Sequence, residues 1–281
     1  MIEKFKQSWE LMKASAGVLR ADKELLLFPA LSALCCLIVA ATFFVPAAFA
    51  GLFEHFSRDK IDPVLAVLGF LFYLVQYFVI IFFNTALVGA AMIRLRGGDP
   101  TVADGFRIAM SKLPAILGYA LISATVGIIL RALQERAGFI GRWIVGLIGA
   151  AWTVATFLVV PVLVSNDVGP VDAVKRSVEL LKKTWGENLI GNVGVGLVFG
   201  VLMFATVMGG VLLIMAAASA KSGALVVTAV ALMFFAIVVL SLIQAALSGI
   251  YAAAIYRYAE EGEIGGGFDR ELVAHAFRVK A

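Results

Sequence analysis

Residues 25–53 contain no Asp, Glu, Lys or Arg, and five further runs, 63–93, 113–130, 143–166, 189–220 and 224–256, are equally free of charge. Nothing else in the chain restricts its fold as much. A helix needs about 20 apolar residues to cross a hydrocarbon core of about 30 Å, and each run supplies about that number or more. Hydrophobic residues make up 62% of the chain and charged ones 15%, with a mean hydropathy of +0.99. Soluble chains run nearer to about 45–50% and about 25%. The charges are bunched between the runs instead of coating a surface. The reading is all-α: a polytopic membrane protein with six transmembrane helices.

Between the runs the pattern changes to a helical period. In 169–185 the apolar residues Val171, Val174, Val178, Leu181 and Trp185 follow one another at spacings of three and four. Asp172, Lys175, Arg176, Glu179, Lys182 and Lys183 fall on the other side, as in a helix lying on an apolar surface. Val102, Phe106, Ala109 and Leu113 repeat the spacing, with Asp104, Arg107 and Lys112 off the stripe. So do Phe5, Trp9, Met12, Ala16 and Leu19, with Lys4, Lys6, Glu10 and Lys13 facing away. These predict three amphipathic surface helices, each leading into a hairpin of two spans. Residues 1–24 carry nine charges and no apolar core, so they do not read as a signal peptide. The unit recurs as pseudo-repeats 1–99, 100–168 and 169–267 within a single membrane domain, 1–281. A tail, 268–281, adds Phe268, Leu272 and Ala276 as another surface turn.

Six spans put both termini on one side. Seventeen of the 23 Lys and Arg residues then fall on the side of the termini, and the bias of basic residues assigns that side to the cytoplasm. The net charge of +4 does not point to nucleic acid, because the basic residues border apolar runs. It points to anionic lipid headgroups, with Lys175, Arg176, Lys182, Lys183 and Trp185 as the expected contacts for headgroups or a partner.

Chemistry-bearing signals are sparse. Cys35 and Cys36 are adjacent inside a span and read as small apolar residues. No HExxH, GxSxG, CxxC or phosphate-binding GxxxxGK[ST] occurs, so neither catalytic, metal nor cofactor residues are expected. Asp99, Asp104, Asp167 and Asp172 stand near helix starts, where capping accounts for them. The spans hold no Asp, Glu, Lys, Arg or His, which argues against a pump or proton-coupled carrier. Their amides, Gln76, Asn84, Asn192 and Gln244, are expected to bond across helices. Should a polar intramembrane site exist, they would form it. Gly196/Gly200, Gly146/Ala150, Ala86/Ala90, Ala245/Gly249 and Gly249/Ala253 are small-residue pairs suited to close helix packing, either as a bundle seam or as a homo-oligomer contact.

The amphipathic helix, the Trp185-Gly-Glu-Asn step and the glycine-rich span that follows, across 175–200, resemble a group of uncharacterised bacterial six-helix inner-membrane proteins. The Phe5–Trp9–Leu25 entry is similar too. The resemblance implies a bacterial cytoplasmic membrane location with no assigned activity, and transfers no functional residues. Two function classes stay open. One is a non-catalytic scaffold or regulator of a membrane partner. The other is a passive channel or carrier for a small solute or lipid.

Overall fold

The computed structural model describes residues 13–49, 63–185 and 193–261, and among these the chain is all-α with no strand. Helix α1 (13–21) leads through a 3-10 turn, Lys23–Leu26, into α2 (Leu27–Phe49). There follow α3 (Pro63–Leu95), α4 (Val102–Ser111), α5 (Leu113–Arg136), α6 (Phe139–Ala155), α7 (Val159–Ser165), α8 (Pro170–Trp185), α9 (Val193–Ser219) and α10 (Gly223–Glu261). Six segments are long and apolar enough to cross a membrane: Lys23–Phe49, Pro63–Leu95, Leu113–Arg136, Phe139–Ser165, Val198–Ser219 and Gly223–Glu260. The surface turn expected at Phe268, Leu272 and Ala276, and the residues Phe5, Trp9 and Met12, lie outside the described residues.

Helix α3 is the axis of the packing. α2 runs antiparallel to it, with Phe44 edge-on to Phe72 at 5.1 Å and the Gln76 amide donating to the Cys36 carbonyl at 3.1 Å. α10 runs parallel to it, bringing Gly249 against Leu87 and Arg257 to the carbonyl of Leu95. α9 packs along α10, its Gly210 against Met233. The buried core lies at one end of this arrangement. Phe28, Val88, Ala91, Ile116, Leu158, Val162, Ala173, Ile250 and Tyr256 are all closed off there. Away from that end the same helices open out, and Leu37, Val67, Leu212 and Phe234 are exposed. At 33 residues α3 is about 50 Å long, well beyond a hydrocarbon core of about 30 Å.

Turn chemistry explains how the packed end is assembled. α3 stops at a Schellman arrangement, with Gly97 N–H on Arg94 O (2.9 Å), Gly98 N–H on Ile93 O (3.0 Å), and Gly97 at φ 83°. α4 opens on a capping box between Thr101 and Asp104. Hydrogen bonds from Thr101 hold the Asp104 carboxyl below its usual range. α4 then lies so close to α2 and α3 that a Cβ at Gly105 would stand 2.4 Å from Phe28 and 2.8 Å from the Ala86 carbonyl. Phe106 completes an aromatic cluster with Phe28, Phe82 and Phe83.

Three readings need correction. The fourth apolar run is not one helix: α6 ends at Ala155, and α7 begins at Val159. Pro161 lacks an N–H, and its ring would collide with the Phe157 carbonyl in a continuous helix. Ser177 of α8 fills the gap, accepting from Leu158 N–H at 3.1 Å and donating to the Ala155 carbonyl at 2.7 Å. The buried side of α8 is centred on Ala173, Ser177, Leu180 and Leu181, which leaves Val171 exposed. Neither Gly200 nor Gly146 meets a neighbour among the described residues within 4 Å of an added Cβ, so neither marks a seam within the described bundle. Close approaches between helices include Gly89 and Gly105 (against Ile108 and Ala86), Gly118 (against Pro170), Gly210 (against Met233) and Gly249 (against Leu87).

Candidate binding cavity

The cationic residues at the packed end are held largely by backbone. Arg257 is buried and donates to the Leu95 carbonyl at 2.6 Å, at the end of α3. Lys112 donates to Asn166 O at 2.8 Å, at the end of α7, and Arg94 to Ala21 O at 3.0 Å, at the end of α1. Each places positive charge on a helix C-terminus, where unpaired carbonyls and the helix dipole favour it. Asp22 is buried beside Arg94. Burial pushes its carboxyl above the usual value, with the Arg94 guanidinium offsetting part of the rise.

On α8, Arg176 donates twice to Glu260 of α10, at 2.7 and 3.0 Å, and also faces Glu179 at 3.6 Å. The Glu260 carboxylate raises the Arg176 pKa further. Lys175 pairs with Asp172 at 3.3 Å, and Lys182 is exposed. The side chains of Lys183 and Trp185, and the whole of Asn192, lie outside the described residues.

Below the packed end, α2, α3 and α10 enclose a cavity of about 500 Å³, with the 157–161 segment at the helix break above it. Its size is that of a small-molecule site. Leu87, Pro161, Gly249 and Ala252 close one end and are buried; Ile80, Ser241 and Ala245 flank the other and are exposed. From Ser241 to Ala252 the rise along α10 is about 16 Å. The lining is mostly apolar and contains no Asp, Glu, Lys, Arg or His.

Its polar groups are Ser32 and Cys36 on α2, Asn84 on α3, and Ser241 and Ser248 on α10. Ser241 spends its hydroxyl on the Ile237 carbonyl of its own helix, at 2.8 Å. The Asn84 amide lies beside Gly249, its Oδ1 only 3.3 Å from where a Cβ would stand. Neither Asn84 nor Ser248 makes a side-chain hydrogen bond among the described residues. In a hydrocarbon surrounding such a group is costly unless something pairs with it.

Residues 64–267 match a family of unknown function, DUF6159. The chain belongs to that family. No curated protein matches it. The span shared with DUF6159 takes in α3 to α10, and so includes Asn84, Pro161, Ser177 and Gly249. α1 and α2 precede it, and α2 supplies Pro29, Ser32 and Cys36 to the cavity.

The cavity therefore collects one of the four amides singled out from the sequence of this DUF6159 member. Asn84 lines it; Gln76 is engaged with the Cys36 carbonyl, and Gln244 is half-buried and not part of the lining. The serines at 32, 241 and 248 and the roof residue Pro161 were not all legible as a group. Ser241 and Ser248 share a helix face at a spacing of seven, but nothing local links that face to Ser32 or to a helix break in another run.

Proposed function

We propose that this chain is a multi-pass, non-catalytic integral membrane protein that scaffolds or regulates a membrane partner. In this reading it sits in a bacterial inner membrane with both termini cytoplasmic. Its spans form three hairpins, each introduced by an amphipathic helix on the cytoplasmic side. The observation that carries the reading is the contrast along the helices: one end is locked by side-chain caps and close glycine contacts, while the outer sides of α6 and α9 stay open. Trp143, Leu147, Phe204, Leu212 and Met215 face outward there, a surface suited to a partner span as well as to lipid. The exposed cations of α8 and the rim of the packed end offer a second contact, for anionic headgroups or a partner's acidic segment.

Native mass spectrometry of the protein extracted with its surrounding lipid tests this. A second polypeptide at fixed stoichiometry is expected. Its recovery should fall when Lys175, Arg176, Lys182 and Lys183 are all replaced by Gln. The chain alone, with no second polypeptide in any preparation, contradicts the scaffold reading. The cavity favours a second reading, a carrier for a small solute or lipid, which liposome flux assays would test.

A further inference from the structure

We infer that the cavity between α2, α3 and α10 is a binding site for an uncharged, membrane-soluble molecule bearing a carbonyl or hydroxyl oxygen. The site goes beyond the scaffold reading, since a molecule bound there serves equally as regulator or as cargo. Three observations define the ligand. The lining holds no ionisable side chain other than the Cys36 thiol, so an ionic headgroup would be buried without a counter-charge. The walls are apolar and open at the Ile80, Ser241 and Ala245 end, where the helices spread, so entry is sideways from the bilayer interior. Near the closed end, the Asn84 amide and the Ser248 hydroxyl lack side-chain hydrogen bonds among the described residues, while Gln76 and Ser241 have theirs.

An oxygen-bearing head seated between Asn84 and Ser248 would satisfy both, the amide donating and the hydroxyl donating or accepting. The tail would run along Ile80 and Ala245 toward lipid. Gly249 fits this arrangement, because a side chain there would press on both Leu87 and Asn84. The helix break belongs to the same design, since Phe157 and Pro161 beside it line the cavity toward the packed end.

The test uses the full chain in nanodiscs of uncharged phospholipid, with a long-chain primary alcohol carrying a diazirine as the probe. Photolabelling is expected to saturate and to map to the lining segments of α2, α3 and α10. The unlabelled alcohol should displace it, and the alkane or carboxylate of equal chain length should not. Asn84→Leu should weaken labelling about tenfold, as loss of a buried polar contact does. Ala245→Phe, at an exposed position with room for the ring, should abolish it while leaving the helical circular dichroism unchanged. Labelling that never saturates and spreads over α6 and α9, or that the alkane displaces as well as the alcohol does, overturns the inference. So does full labelling of Asn84→Leu.

Discussion

The two halves of α3 are made of the same residue types and meet different surroundings. From Ile81 to Leu95 the helix is largely buried, under α4, α7 and the end of α10; from Pro63 to Ile80 it is half-exposed or exposed. α10 divides in the same way, with Ala246 to Arg257 buried and Gly223 to Ala245 mostly open. Hydropathy does not distinguish the halves, because lipid and protein interior are equally apolar. What differs is whether a neighbouring helix uses the small residues, and the caps. The buried halves carry Ala86, Gly89 and Gly249, against which neighbouring helices pack closely, and α3 ends in a carbonyl held by Arg257 and in a glycine turn. Gly69 in the open half of α3, like Gly209 on α9, meets nothing among the described residues within 4 Å of an added Cβ. A small residue marks a contact only where another helix is close enough to use the space.

That contrast can be broken most sharply at glycine. Gly105→Val puts side-chain atoms into Phe28 and the Ala86 backbone, and is expected to cost about 3 kcal/mol or more. Gly209→Val, with open space around it, should stay within about 1 kcal/mol, the helix-propensity scale. Denaturant unfolding in mixed micelles compares the two, and equal losses would erase the distinction.

Serine gives the next largest difference. Ser177→Ala leaves the Leu158 N–H and the Ala155 carbonyl without their partner at the helix break, for about 2 kcal/mol. Ser241→Ala removes only a bond within α10 and should change stability by less than about 0.5 kcal/mol. The same unfolding assay separates them.

Smaller still is the exposed pair between α8 and α10. Arg176→Gln is expected to cost about 0.2–1 kcal/mol, and the cost should shrink in high salt.

The smallest effect is a pH dependence at Asp22. Its carboxyl is raised in the folded state, so its stabilising contribution is complete below the unfolded value of 3.8 and is lost as pH rises through the folded value. Asp22→Asn imitates the protonated form. Its Tm should exceed that of the parent at neutral pH and converge with it in acid; a difference independent of pH would remove burial of this charge from the account.

The six apolar runs, their approximate ends and the two connecting helices α4 and α8 were legible because charge and period change abruptly at their borders. The cap at Asp104 was legible too, since it is local turn chemistry. The location of the core was not, because a residue such as Leu87 looks the same in sequence whether lipid or Gly249 lies beside it. The break before Pro161 was missed for a related reason: an uninterrupted apolar run conceals a helix end that a serine from another helix repairs. Basic residues read as a lipid-facing collar include Arg94, Lys112 and Arg257, whose partners are carbonyls distant in sequence. Of the candidate site, Asn84 stood out as an amide in a span. The cavity around it depends on how α2 and α10 spread apart, which no spacing encodes.

The most direct measurement is the oxygen accessibility of spin labels along α10, in protein whose Cys35 and Cys36 are replaced by Ala and which is reconstituted in bilayers. Labels at Val227, Leu232 and Phe234 are expected to collide freely with oxygen dissolved in the hydrocarbon. Labels at Leu247, Ile250 and Ala254 are expected to be shielded and immobile. Equal accessibility along the helix would contradict a packed end joined to lipid-facing arms.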